Sequence, residues 1–266
     1  MRTVLVTGGT GHLGRAVVRL LQPTDRMRVL TRRPSTGGPS GQVRGDLATG
    51  EGLTESLDGV DVVVHAATCS PVAQRGSLRP ADFWRSPPEV DVDGTSRLLD
   101  AAAQSGVRHF VHVSLVGVDH PALPYLQLKH TAEELVSVSD VPWTILRSTP
   151  FYWLLDRMLA RAARWPLLPL DGGLPGQPVS EADFAAFIVE RLAEGPSGRT
   201  EDFGGPEVRK LGQLVQEWSR ARQNRVRVLR LPAPRGVQRM AHRMTAPSGR
   251  RGTTTWQEWL AAHPVP

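Results

Sequence analysis

Tyrosine and lysine are nearly missing from this chain of 266 residues: there are two tyrosines, and of the 32 basic residues only Lys129 and Lys210 are lysine. Cysteine occurs once, as Cys69. A lone cysteine excludes an internal disulfide and fits a reducing compartment. No apolar run approaches the roughly 18 residues that a membrane-crossing helix needs. The first residues already read as a strand rather than as a signal peptide, so a cytoplasmic location is expected. Metal-ligand spacing is absent as well. His109 and His112 lie three apart on an expected strand, where they face opposite sides and cannot chelate together. No G-x-S-x-G string supports a hydrolase nucleophile. Hydrophobic residues make up 40% and charged residues 22%. That balance describes a globular chain, long enough for one large domain or one domain with a smaller appendage.

What is present begins with glycine. The string VLVTGGTGHLGR places Gly8, Gly9, Gly11 and Gly14 between an apolar strand at Val4–Val6 and a helix running to Gln22. Glycine allows the tight turn and the close approach of backbone N–H groups to a pyrophosphate, and the helix N-terminus adds positive partial charge. Further apolar strands are expected at Met27–Thr31, Val60–His65, Val107–Ser114 and Trp143–Arg147, with helices between them at Gly94–Ser105 and Tyr125–Ser139. Strands alternating with helices imply a parallel sheet covered on both faces. A Gly/Pro/Ser loop is expected at Thr36–Gly41. After Pro150 the composition shifts. An aromatic helix is expected at Phe151–Arg164, a Pro/Gly-rich loop at Pro166–Pro178, a capping box at Ser180–Asp183, and helices at Leu211–Arg222 and Thr253–Leu260. The expected fold is therefore α/β, a Rossmann-type doubly wound parallel sheet over residues 1–150. Residues 151–266 are expected to form a small, mostly helical substrate-side cap on the same domain.

An NAD-binding strand end usually carries an acid some 20 residues beyond the glycines. Here RVLTRRP puts Thr31, Arg32 and Arg33 there. Arginine binds a 2′-phosphate that a carboxylate would repel, so NADP(H) is expected in preference to NAD(H). The formal charge is +6. From Arg209 to Arg251 twelve basic residues face one acid, Glu217. No helix-turn-helix, zinc finger or aromatic-basic motif accompanies them, so nucleic acid is not the expected partner. The expected partner is a small-molecule substrate, with no membrane, and a homodimer is the oligomer to test.

Tyr125 stands four residues before Lys129, one helical turn away on the same face. With so few of each residue, chance gives that spacing in only about 0.015 of such chains, so the pair invites a reading as a motif. Lysine is a compact ammonium where arginine is a wide fork, and only the former fits close beside a phenol. Lowering a phenol by about three units takes about 4 kcal/mol, which one ammonium ~4 Å away supplies at an effective dielectric near 20. Lys129 is thus expected to lower the pKa of Tyr125.

Taken in order, TGGTGHLG, Gly45–Leu47, VVVHAAT, VDVDGTSRLLDAA, GVRHFVHVS, YLQLK and WTILRSTPF resemble the short-chain dehydrogenase/reductase superfamily. The likeness is to its atypical and extended members, among them the NmrA-like NAD(P)H-binding group. It runs from Thr3 to about Arg147 and more weakly to the TTTWQEWLA tail. The resemblance implies that Gly8, Thr10, Gly11, His12 and Leu13 line the pyrophosphate and that Arg32 and Arg33 meet the adenosine phosphate. It implies that Asp46 and Leu47 bracket the adenine, that Ala66, Ala67 and Thr68 pass under the cofactor, and that Ser148 and Thr149 sit near the nicotinamide. Tyr125 and Lys129 match the family's catalytic Tyr-x-x-x-Lys, with Lys129 also on the cofactor ribose, and Ser114 is the candidate for its serine. Two departures stand out: Leu115 and Val116 follow Ser114 where further hydroxyls are common, and Asp91 replaces a common asparagine. The implied activity is NADPH-dependent hydride transfer to a small carbonyl, quinone or enone with Tyr125 as proton donor. The alternatives are an NmrA-like redox sensor without turnover and a nucleotide-sugar epimerase or dehydratase. Phe151, Trp153 and Trp165 are candidates to line a substrate pocket.

Overall fold

The apolar, β-branched stretch Thr3–Thr7 (β1) is fully buried at the centre of the sheet, as a strand covered on both faces must be. The computed structural model describes residues 1–34, 41–70, 87–165, 167–224 and 226–264. The loop expected at 36–41 therefore lies outside the described residues except for Gly41, as does Pro166.

From β1 the chain runs through α1 (His12–Leu21), β2 (Arg26–Thr31), β3 (Gln42–Arg44), α2 (Leu53–Leu57) and β4 (Val62–His65). It continues through α3 (Pro88–Asp91), α4 (Asp93–Gln104), β5 (His109–Leu115), α5 (Pro124–Ser137) and β6 (Trp143–Ser148). Then come α6 (Tyr152–Ala162), β7 (Leu168–Leu170), β8 (Pro175–Gly176), α7 (Glu181–Glu194), β9 (Thr200–Gly204) and β10 (Arg209–Lys210). The last elements are α8 (Leu211–Ala221), β11 (Val228–Arg230), α9 (Arg235–Arg243), β12 (Arg250–Arg251) and α10 (Trp256–Ala262).

Eight strands form one parallel sheet in the order β12-β9-β6-β5-β4-β1-β2-β3. The order reverses between β1 and β4. Ligands of doubly wound sheets bind at such a switch point, beyond the carboxyl ends of the strands. One face of the sheet packs on α1 and α7, with Val6, Val17, Val111, Leu146 and Phe184 in contact. The other packs on α4 and α5, with Leu5, Val63, Leu98, Phe110 and Val136. The expected Rossmann-type α/β architecture is the observed one.

The chain beyond residue 150 does two things. Helix α7 packs against α1, and β9 and β12 extend the main sheet. The remainder gathers a third cluster around Tyr152, Leu214, Trp218, Trp256 and Trp259. Asp183 is not the return half of a capping box. Ser180 caps α7 through Ala182 N–H at 3.2 Å, while Asp183 accepts from Thr253 N–H, Thr254 N–H and the Thr254 hydroxyl, each at 2.8 Å. Three donors outcompete the one a capping box would offer. The reciprocal box instead opens α10, between Thr255 and Glu258.

Candidate active site

The turn after β1 is built by glycine where no other residue fits. Gly8 has φ +70°, and a Cβ there would lie 2.8 Å from the Ala66 carbonyl and from Ala67 N. At Gly14 a Cβ would meet Gly8 O at 2.2 Å, so the turn and the helix seat directly on each other. Helix α1 starts at Gly11 without a side-chain cap and without an acid in its first turn. Its first N–H groups therefore face outward with the positive end of the helix, which is a ready anion site. The cradle and the uncapped helix end fit a dinucleotide pyrophosphate. Thr10, Gly11 and His12 are exposed at this turn, whereas the Leu13 side chain is buried in the core and only its backbone faces the turn. The His12 ring stacks on Trp153 of α6, with centroids 4.4 Å apart at 7°. Burial lowers the His12 pKa, and nearby Arg15 and Arg157 act the same way against Glu181.

Arg32 and Arg33 are exposed at the carboxyl end of β2, and no carboxylate pairs with either among the described residues. Asp46 is already engaged, since its Oδ1 accepts from Ala48 N–H at 2.9 Å. Leu47 is a core residue, 7% exposed. The backbone of Ala66 and Ala67 lies against Gly8, and Ala67 N–H donates to the Thr7 hydroxyl at 3.3 Å.

The best-connected polar cluster lies at the carboxyl ends of β4 and β5. Lys129 Nζ sits 3.0 Å from Asp91 Oδ1, with both side chains nearly inaccessible at 5% and 0%. Asp91 Oδ1 also accepts from the Thr68 hydroxyl at 2.7 Å, and Oδ2 accepts from Cys69 N–H at 2.8 Å. Thr68 stands 3.0 Å from the Tyr125 hydroxyl. With its own proton committed to Asp91, Thr68 is the acceptor and Tyr125 the donor. Burial disfavours charge on Asp91, but Lys129, Cys69 N–H and Thr68 outweigh it and hold the carboxyl below its ordinary value. Burial likewise opposes charge on Lys129, and Asp91 more than restores it. The pair is an ion pair.

This arrangement corrects the expectation for Tyr125. Its pKa is raised: burial pushes the phenol up, Lys129 pulls it down, and Asp91 pushes it up again. Asp91 spends much of the lysine's field before it reaches the phenol. Ser114 is buried, but its Oγ makes no hydrogen bond, and the hydroxyl that meets Tyr125 belongs to Thr68. Ser148 is likewise buried with an unpartnered Oγ. Thr149 is fully buried, and its hydroxyl accepts from Gly205 N–H at 3.3 Å.

Two features went unnoticed in the sequence. Arg147 on β6 grips Glu133 on α5 at 2.9 and 2.6 Å, which fixes the helix that carries Tyr125 and Lys129. The other is a buried chain beneath the ion pair. His65 Nδ1 lies 2.7 Å from the Thr7 hydroxyl and Nε2 lies 2.9 Å from that of Thr95, while Thr95 donates to Asp91 O at 2.7 Å. The Thr95 proton being used, His65 carries its proton on Nε2. His112 lies beside it, ring centroids 5.3 Å apart, with both nitrogens unpartnered. His109 is on the opposite sheet face, bonded to Thr144 at 2.9 Å. A histidine directly before the AAT string was the one available signal, and spacing alone does not say which way it points. Of the three aromatic pocket candidates, Phe151 packs on Phe184, Trp153 covers His12, and Trp165 is 50% exposed.

Residues 8–195 match the NAD(P)H-binding family. The chain is 32% identical over 227 residues to a chloroplastic divinyl chlorophyllide a 8-vinyl-reductase of Oryza sativa subsp. indica, covering 77% of this chain and 54% of that protein. It is 31% identical over 229 residues to a (4-alkanoyl-5-oxo-2,5-dihydrofuran-3-yl)methyl phosphate reductase of Streptomyces griseus subsp. griseus, covering 82% of this chain and 73% of that one. The chain thus spans about half the length of the first relative (54%) and most of the second (73%). Among solved structures, an NADPH-dependent quinone oxidoreductase of Escherichia coli complexed with NADPH superposes with a TM-score of 0.75 at 20% identity, over 97% of this chain and 99% of that one. No helix among the described residues is long and apolar enough to cross a membrane.

Proposed function

The chain belongs to the NAD(P)H-binding family, and from that membership we propose that it is a reductase of small conjugated substrates, with Tyr125 as its proton donor. The observation that carries this reading is the Tyr125–Thr68–Asp91–Lys129 cluster, set beside the glycine cradle at the switch point of the sheet. Two of the chain's relatives are reductases, one named for a vinyl group and one for a dihydrofuranone phosphate. The second name describes a ring double bond conjugated with an oxo group. An enone is therefore the favoured substrate class, ahead of a quinone or simple ketone.

When bound, NAD(P)H supplies the hydride. Reduction of the conjugated bond then needs one proton for the enolate that hydride addition leaves. Tyr125, held protonated by burial and by Asp91, carries that proton throughout the neutral range. A phenol kept neutral suits proton donation, whereas the reverse oxidation would need a phenolate base. As the proton leaves, Thr68 can turn its hydroxyl from Asp91 to the new phenolate. Lys129 keeps the field positive there and is the residue that would meet the cofactor ribose. Ser114 and Ser148, buried with free hydroxyls, are proposed to meet substrate or nicotinamide from the strand ends. The cap cluster around Tyr152 and Trp256 is the substrate-side unit in this reading.

The test is NADPH consumption with a panel of enones, quinones and ketones, run on wild type and Tyr125→Phe. Loss of a general acid should lower kcat by about 10²–10⁴-fold with little change in NADPH affinity. Equal turnover in the two would sink the assignment of Tyr125. NADPH binding without turnover of any substrate in wild type would favour a sensor.

The preference for NADP(H) is proposed on Arg32 and Arg33, exposed and without acidic partners. Arg32→Glu should raise KM for NADPH by about 10–100-fold, the worth of one charge-assisted bond, and leave KM for NADH within a few-fold. A parallel rise for both cofactors would remove the arginine from the 2′-phosphate.

A further inference from the structure

Exposed apolar side chains recur at β7, at β11 and on α9. Among the described residues nine large hydrophobics are conspicuously exposed, and five of them are Trp165, Leu167, Leu229, Leu231 and Val237. The reason is the ribbon of β7 and β11. Its parallel register sets Val228 beside Leu168 and Leu229 beside Pro169. Alternation then turns Leu168, Leu170 and Val228 inward onto the Trp218 cluster, and turns Leu167, Pro169, Leu229 and Leu231 outward. The outward residues are about half exposed: 50% for Leu167, 46% for Leu229 and 48% for Leu231.

Helix α9 continues from this ribbon through Pro232 and Pro234, tied back by Ala233 N–H to Asp171 at 3.0 Å. It buries none of its residues. Arg235, Arg239 and Arg243 recur every four residues along one stripe, Val237 lies opposite them, and Met240 stands between. Arg227, just before β11 and two residues from Leu229, shares its outward face, and Arg230 is the exposed last residue of the strand. None of these five arginines bonds a carboxylate among the described residues. The sole acid in Arg209–Arg251, Glu217, is already held by Arg209. The carboxylate of Asp171 is taken by backbone N–H groups of Gly173 and Ala233.

We infer that this face docks on a membrane surface rich in anionic lipid. Outward leucines rimmed by unpaired arginines match an interface in which apolar side chains enter the headgroup boundary and guanidinium groups meet phosphates. A second copy of the chain would bring two arginine-rich faces together, and a nucleic acid gives leucine side chains nothing to bury against. That no helix among the described residues is long and apolar enough to cross a membrane leaves a surface contact open. The carboxyl end of α9 also abuts the loop after β5: a Cβ at Gly117 would lie 2.6 Å from Arg243 O. Docking would therefore bring the neighbourhood of Ser114 close to the lipid surface. The inference stands apart from the reductase reading and does not depend on it.

The experiment is flotation of the full chain with vesicles of phosphatidylcholine alone and of an equal mixture with phosphatidylglycerol. Binding is expected to the anionic vesicles only, and to fall at about 0.5 M salt as the charges are screened. Replacing Arg235, Arg239 and Arg243 by serine should cut partitioning roughly a hundredfold. Leu229→Ser with Leu231→Ser should also weaken it, by on the order of tenfold. All five positions are exposed, and far-ultraviolet circular dichroism and NADPH binding check that the variants fold. No flotation with anionic vesicles, equal binding to both vesicle types, or wild-type binding by the arginine variant would each overturn the inference. So would retention on duplex DNA that ignores the leucine changes in the absence of vesicle binding, which would assign the face to nucleic acid.

Discussion

Lys129→Met is expected to destabilise the protein by about 3–5 kcal/mol and to abolish turnover together. Removing one partner of a buried pair leaves the other charge unpaired in a dry site. Here the survivor would be Asp91, fully inaccessible and accepting, among the described residues, from Thr68 and Cys69 N–H. That cost is a large part of the stability of an ordinary domain. The conclusive variant is the double one, Lys129→Met with Asp91→Leu. Replacing both charges by apolar groups often restores stability. Most of the lost stability should return while activity stays absent, because Tyr125 has lost both its cation and the anchor of Thr68. Denaturant midpoints and NADPH consumption on the wild type, Lys129→Met, Asp91→Leu and the double variant read the two effects separately. A double variant that regains turnover would make the pair structural alone. A Lys129→Met variant as stable as wild type would mean that Asp91 is not buried as an ion.

Acid should unfold this protein unusually early and steeply. Three histidines are held neutral inside: burial lowers His65 to about 3 and His109 to about 4, and pushes His112 well below its ordinary value. Each is 3% exposed or less. In the unfolded chain each takes a proton near pH 6.5. Below that pH the unfolded state binds more protons than the folded one, so stability present above about pH 6.5 is lost as the pH falls towards the folded values. Each histidine contributes a slope of about 1.4 kcal/mol per pH unit, so the three together remove on the order of 6–8 kcal/mol between about pH 6.5 and 4.5. That rivals the whole folding free energy. Urea midpoints measured from pH 7.5 to 4.5 check it, and His112→Leu should flatten the curve by one proton's slope. Stability that stays level down to pH 5 would refute the picture of three neutral buried rings.

The glycine turn illustrates what local spacing can say. Gly8 must be glycine because its φ is positive and its missing Cβ faces the backbone of Ala66. That demand is local in sequence, so the turn and the helix after it were legible in the string itself. Asp91 illustrates the opposite. As a residue it was visible only as a departure from a common asparagine, and its effect on Tyr125 depends on a lysine 38 positions away reaching it at 3.0 Å. Likewise Thr200–Gly204 and Arg250–Arg251 are polar and short, carry no strand pattern, and become strands only by pairing with β6 and with each other. Helix α9, too rich in arginine to show an apolar face at first sight, was passed over for the same reason.

The sequence by itself determined the α/β alternation, the dinucleotide turn, the one-turn spacing of Tyr125 and Lys129, and the basic end of β2, because each follows from periods of two and 3.6 residues or from the chemistry of a single side chain. Only the tertiary structure decided that Lys129 answers to Asp91, that Thr68 rather than Ser114 meets Tyr125, that the pKa of the phenol is raised, and that Leu229 and Leu231 face outward near arginines that bond no carboxylate among the described residues. Those outcomes depend on which side chains share a dry space and which face water, and distance through space is the one quantity that spacing along a chain does not carry.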